Sequence, residues 1–176
     1  MPYCVDNDYF RIKAQAADID NIRAQLSLEQ GRPVILYASK FMVRKYPDHL
    51  LEAYQQLPEP RPYLIYVGDG EMRVNLEETV HKHQLKNVRF AGFQNQGELP
   101  AFYALANIFV LPSINETWGL VVNEAMNAGC AIITTDQVGC AVDLVRSGEN
   151  GVVIEPRNIE ALKAALAGCL DQQRYG

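Results

Sequence analysis

The chain has 176 residues, 48% of them apolar and 21% charged, and carries a formal net charge of −5. It is long enough for one well-buried domain and too short for two large ones. The acidic balance argues against a nucleic-acid partner, which calls for a basic face, and no apolar run approaches the ~18 residues of a membrane span.

Residues 1–17 are polar and aperiodic and read as a lead-in rather than a core element. A helix is expected from Asp18 to Gln30, capped by Asp18, with Ile19, Ile22 and Leu26 at helical spacing and Gly31 to end it. Val34 to Ala38 is a continuous apolar run of the kind found in parallel sheets. Leu50, Ala53, Tyr54 and Leu57 restore helical spacing before the break at Pro58, Pro60 and Pro62. The alternation then repeats. Strands are expected at 63–67, 88–91, 108–111, 131–134 and 151–154, with helices at 71–84, 98–106, from about Thr117 to Gly129, at 141–146, and after the cap Asn158. Alternation of this kind implies an α/β fold, a Rossmann-like doubly wound parallel sheet with helices on both faces. The expected six-strand order is 3-2-1-4-5-6, with ligands at the carboxyl ends of strands 1 and 4, where the order reverses.

The unusual polar residues fall at that switch point. Strand 1 is followed by Ser39, Lys40 and Lys45, and strand 4 by the run Glu116-Thr-Trp-Gly-Leu-Val-Val-Asn-Glu124. The two lysines either neutralise a diphosphate or are solvated surface groups beside Arg44. Glu116 and Glu124 bracket the expected helix start. They either grip a ring of hydroxyls, since each carboxylate accepts two or more hydrogen bonds, or serve as a first-turn acid and a solvated helix residue. Gly68-Asp69-Gly70 after strand 2 is a turn that also lets the backbone approach a ligand.

Other chemistries lack support. Ala38-Ser39-Lys40-Phe41 is not a Gly-x-Gly-x-x-Gly fingerprint, and no P-loop occurs. Ser113 has no Gly-x-Ser-x-Gly elbow. His81 and His83 fall on different faces of one helix, so a shared metal is not expected. Cys4, Cys130, Cys140 and Cys169 form no Cys-x-x-Cys pair. With no signal peptide in Met1-Pro-Tyr-Cys-Val-Asp-Asn-Asp, reduced thiols in a cytoplasmic protein are expected.

The run Pro112-Ser113-x-x-Glu116-x-Trp118-Gly119-Leu120-x-x-x-Glu124-Ala125-Met126-x-Ala128-Gly129 resembles the Glu-x7-Glu signature of the family-four retaining glycosyltransferases of GT-B fold, in their C-terminal, donor-binding domain. So do Val67-Gly68-Asp69-Gly70, Val88-Arg-Phe-Ala-Gly92-Phe93, Ala106-Asn-Ile-Phe-Val-Leu-Pro112 and Glu149-Asn-Gly151, in order and spacing. Pro2 to Phe10 resembles the segment that joins the two halves of such enzymes. The resemblance implies an interdomain lead-in at 1–17, a nucleotide-sugar-binding domain at 18–176, and an absent N-terminal domain that binds the acceptor and makes any peripheral membrane contact. It implies that Glu116 meets sugar hydroxyls and Glu124 the ribose. Backbone amides of Trp118, Gly119 and Leu120 would meet sugar and phosphates. Lys40 and Lys45 would hold the diphosphate and stabilise the leaving group, catalytic residues together with Glu116, with no metal or other cofactor. Ser39 and Gly68 would line the donor site, and Gly92, Phe93 and Gln94 would border the base. The family has Gly-Arg where this chain has Ser39-Lys40, which keeps the charge and loses the bidentate fork. The rival readings are a sugar-nucleotide epimerase of GT-B type, for which no acid/base residue stands out, and a non-catalytic α/β ligand-binding module.

Overall fold

A computed structural model describes residues 4–175, with side chains to Asp171. Met1, Pro2 and Tyr3, the start of the expected joining segment, lie outside the described residues, as does Gly176. Six parallel strands form one sheet: β1 (Val34–Ala38), β2 (Tyr63–Val67), β3 (Val88–Gly92), β4 (Ile108–Leu111), β5 (Ala131–Thr135) and β6 (Gly151–Ile154). Their order is β3-β2-β1-β4-β5-β6, the order expected from the sequence. β1 pairs with β2 along its length and with β4 at Ile35↔Ile108 and Leu36↔Phe109. The β1–β4 register ends at Leu36↔Phe109, and the switch in strand order between β1 and β4 is where such sheets have their crevice, at the carboxyl edge.

Side-chain alternation assigns the strands to two cores. Val34, Leu36, Ala38, Ile65, Phe109, Leu111 and Ile132 face one side, under α1 (Asn7–Gln15), α2 (Ile19–Gln25), α5 (Leu99–Leu105), α6 (Leu120–Asn127) and α7 (Ala141–Leu144). Ile35, Tyr37, Leu64, Tyr66, Val110 and Ile133 face the other, under α3 (Pro47–Gln55), α4 (Arg73–Lys82) and α8 (Ile159–Tyr175). Among the described residues four tyrosines are fully inside this packing. Each turns its hydroxyl onto an acceptor: Tyr37 onto Lys40 O (3.0 Å), Tyr54 onto Pro62 O (2.8 Å), Tyr66 onto Pro47 O (2.7 Å) and Tyr103 onto Glu124 Oε2 (2.8 Å). Buried phenols need such partners, and two of these bonds pin segments that flank β1.

Two sequence expectations are corrected. Residues 1–17 are not an element-free lead-in, because α1 occupies 7–15. Asp6 caps it through Tyr9 N (2.9 Å), and Phe10 and Ala14 are buried against α5 and α6. Its apolar face consists mainly of one i, i+4 pair, too little for periodicity to register. The helix that starts at the Asp18 cap ends at Gln25, not Gln30, because Ser27 takes a left-handed φ of 53°. The side chain of Arg89 then reaches across to Leu26 O (2.8 Å).

Candidate functional site at the carboxyl edge

The loops leaving the strands are laced together laterally. Ser39 N donates to Val67 O (3.1 Å), Phe41 N to Asp69 O (2.9 Å) and Gly68 N to Gly92 O (2.8 Å). Gly68 sits at φ +131°, and a Cβ there would lie 2.1 Å from Ser39 O. Glycine at this turn is therefore a packing requirement, whatever else the turn meets.

After β1 a 3-10 turn spans Val43–Lys45, and α3 begins behind Tyr46. Tyr46 holds a left-handed φ of 47°, costly for a residue with a Cβ. Its ring stacks on His49 (4.2 Å between centroids), and its hydroxyl accepts from Arg157 Nε (2.7 Å). This anchored backbone turns Lys45 into the crevice, where its side chain is only 12% exposed. Lys45 Nζ lies 2.8 Å from Ser39 Oγ and 2.8 Å from Glu116 Oε2. The second contact is close but off the hydrogen-bonding direction: Oε2 is buried and has no aligned donor, so the contact is an ion pair only. Arg44 Nη1 stands 3.7 Å from the same oxygen and donates to Asn115 O (3.1 Å), while Ile114 N donates to Arg44 O (2.9 Å).

The opposite wall is the loop after β4, held by the loop after β5. Glu116 N donates to Gln137 O (3.1 Å), Gly139 N to Glu116 O (2.9 Å) and Cys140 N to Trp118 O (2.9 Å). A Cβ on Gly139 would sit 2.1 Å from Thr117 O. The helix starts later than the sequence reading has it. Thr117 and Trp118 stay in the loop, Gly119 is the N-cap at φ 88°, and α6 opens at Leu120. Glu116 is thus no first-turn acid; it belongs to the turn and faces Lys45. Glu124 is not solvated either. It is buried one turn into α6, where Oε2 accepts from Tyr103 of α5.

Of the predicted residues, then, Ser39, Lys45 and Glu116 meet directly, beside the Trp118–Leu120 backbone. Gly68 and Gly92 form the adjoining floor. Phe93 is 77% exposed, and the side chain of Gln94 folds back onto Ala91 O (2.8 Å). Lys40 is exposed and contributes only its main chain to these contacts. Tyr103 and Gly139 do not figure among the sequence expectations, and Arg44 figures only as a neighbour of the lysines. A glycine in the Val138-Gly-Cys140 run after a strand was the available signal for Gly139; the other two carry none without topology.

Burial pushes the Glu124 carboxyl above its ordinary range, and the Tyr103 hydrogen bond opposes this in part. A carboxyl raised in the folded state stabilises the fold at low pH, and that contribution is lost as pH rises through the folded value. Glu124→Gln abolishes the effect. The thermal midpoint of the wild type minus that of Glu124→Gln is expected to fall as pH goes from roughly 4 to 7, in two matched melting series. A difference independent of pH would contradict the burial described here.

Among the described residues no group of three or more His, Cys, Asp or Glu side chains is placed to hold a metal, and no helix is long and apolar enough to cross a membrane. Two large concavities lie elsewhere. One, of about 690 Å³, is lined by small residues of α8 and by β6; the other, of about 1100 Å³, lies at the amino ends of the strands near Arg23, Arg32 and Pro58. Neither has the chemistry of the crevice. The guanidinium groups at the second are turned onto Glu29 O, Arg61 O and the Glu29 carboxylate.

Known proteins share this architecture. The profile of the glycosyl transferases group 1 matches residues 18–175. A D-inositol 3-phosphate glycosyltransferase 2 of Catenulispora acidiphila is 31% identical over 179 residues, covering 95% of this chain and 41% of its own length. The sucrose-phosphate synthase of Thermosynechococcus elongatus superposes with a TM-score of 0.81 at 30% identity, over 97% of this chain and 42% of that one. The Anabaena protein HepE, solved in complex with UDP and glucose, gives 0.79 at 26% identity, over 89% and 43%. The chain thus spans about two fifths of the length of these relatives, 41% of the first of them. With its six-stranded Rossmann-like sheet and a family profile matched from residue 18 to residue 175, the chain belongs to the glycosyl transferases group 1, and its fold is that of one half of a GT-B glycosyltransferase.

Proposed function

We propose that this chain is the donor-binding domain of a retaining glycosyltransferase that takes its sugar from a nucleoside diphosphate. The observation that carries the reading is the meeting of Lys45, Ser39 and Glu116 at the switch point, on the wall that continues into the N-terminus of α6. Lys45 and Lys40 supply positive charge for a diphosphate, together with the unpaired amides at the start of α6. In the whole enzyme these groups stabilise the diphosphate as it departs, with no metal or other cofactor. Glu116 receives hydroxyls of the sugar. Glu124 keeps one oxygen on Tyr103 and offers the other to the ribose. Exposed Phe93 borders the base. HepE, solved with UDP and glucose, supports a nucleotide-sugar donor. The acceptor is held by a further domain in the full-length protein, a cytoplasmic enzyme, so the chain alone binds donor without transferring sugar. The segment before α2 joins the two domains.

Calorimetric titration with a panel of nucleoside diphosphates tests the reading. One of them binds at 1:1, and Glu124→Ala weakens it by about tenfold or more, because a charge-assisted hydrogen bond contributes ~1.5–3 kcal/mol. A chain that binds none of them is a ligand-binding module of some other kind.

A further inference from the structure

Glu116 Oε2 is claimed by two cations and hydrogen-bonded to neither. Lys45 Nζ stands 2.8 Å away and Arg44 Nη1 3.7 Å away, and the oxygen is buried. The two cations are tethered differently. Arg44 is fixed to the Glu116 loop independently of the carboxylate, through its guanidinium to Asn115 O (3.1 Å) and through its own carbonyl to Ile114 N (2.9 Å). Among the described residues the ammonium of Lys45 is held by Ser39 Oγ and Glu116 alone. A diphosphate arriving in the crevice competes with Glu116 for Lys45, and a half-buried carboxylate stripped of its partner opposes that exchange.

We infer that Arg44 is a positioning residue: it is the standby counterion that takes over Glu116 when Lys45 turns to the diphosphate, so that the sugar-binding carboxylate and the phosphate-binding ammonium are both charged and correctly aimed at once. This rests on the proposed nucleoside-diphosphate site. It adds a role for Arg44, whose guanidinium touches the ligand through no step of that proposal and acts through Glu116.

The test is a double-mutant cycle on this chain, read by calorimetry with the tightest-binding nucleoside diphosphate. Arg44→Gln keeps a donor for Asn115 O and removes the charge; it is expected to weaken binding about tenfold, within the range of measured pair couplings. Arg44→Lys restores the charge and is expected to stay within about threefold of wild type. In the Glu116→Gln background no carboxylate needs a counterion, and Arg44→Gln is expected to change affinity by less than about twofold. Equal losses in both backgrounds would mean that Arg44 shapes the loop or touches the ligand itself, and would overturn the inference. So would wild-type binding that Arg44→Gln leaves unchanged. A wild type that binds no nucleoside diphosphate removes the site proposal along with it.

Discussion

Lys45→Ala is expected to lower nucleoside-diphosphate affinity by roughly 10- to 100-fold, the equivalent of one or two charge-assisted contacts. The reason is geometric as much as electrostatic. The Lys45 side chain is 12% exposed and its ammonium is held between Ser39 Oγ and Glu116 Oε2, so it meets a ligand already oriented and partly desolvated. Its loss also leaves the Glu116 carboxylate, on a side chain 18% exposed, facing the site with Arg44 alone, at 3.7 Å, and that negative charge then repels the diphosphate. Lys45→Arg keeps the charge but brings a larger planar group into the space between two 2.8 Å contacts, and is expected to recover only part of the affinity. Glu116→Gln moves the other way: it frees Lys45, so diphosphate affinity holds or rises while the contribution of the sugar is lost. Calorimetry with the diphosphate and with its sugar ester separates these effects. Full affinity in Lys45→Ala would place the diphosphate elsewhere.

Gly139→Ala is expected to destabilise the fold by about 3 kcal/mol, the upper end of overpacking costs, and to lower the melting midpoint by roughly 6–12 °C for a chain of this size. The added Cβ would stand 2.1 Å from Thr117 O and 2.9 Å from Thr117 C, both backbone atoms that no rotamer change can withdraw. Relief requires the 116–118 loop to retreat. That breaks the Gly139 N–Glu116 O and Cys140 N–Trp118 O bonds that fix Glu116 across from Lys45. Ligand affinity therefore falls along with stability. Gly168→Ala is the matched control: nothing lies within 4 Å of its Cβ, and it sits inside α8. It is expected to be neutral or to stabilise by about 0.5–1 kcal/mol through helix propensity. Equal melting shifts for the two variants would show that Gly139 is not a contact point.

The architecture was legible in the sequence because its strands are short apolar runs bounded by Gly and Pro, and because a parallel sheet constrains topology to few arrangements. From β1, β4 and their polar sequels, the switch point followed, and with it Ser39, Lys45 and Glu116. What could not be read were features that depend on contacts between distant segments. Phe10 gains its burial from α5 and α6, and its neighbours in sequence give no hint of this. Glu124 looks like an exposed helix residue until Tyr103, 21 residues away, is folded over it. The start of α6 moved from Thr117 to Leu120 because the loop spends its first residues bonding to 137–140 rather than starting a helix. Tyr46 shows the limit from the other side: its left-handed backbone, where glycine is the easy choice, is held by His49 and by Arg157, a residue 111 positions further on.

The proposed donor site is the carboxyl edge of β1 and β4, to the exclusion of the other concavities. Backbone amide chemical shifts followed during titration with a nucleoside diphosphate locate the bound ligand. The perturbed amides are expected to cluster at Ser39, Lys45, Gly68, Gly92, Gly119, Leu120 and Glu124. Shifts concentrated at the amino ends of the strands, around Arg32, Pro58 and Asn107, or along β6 and α8, would contradict it.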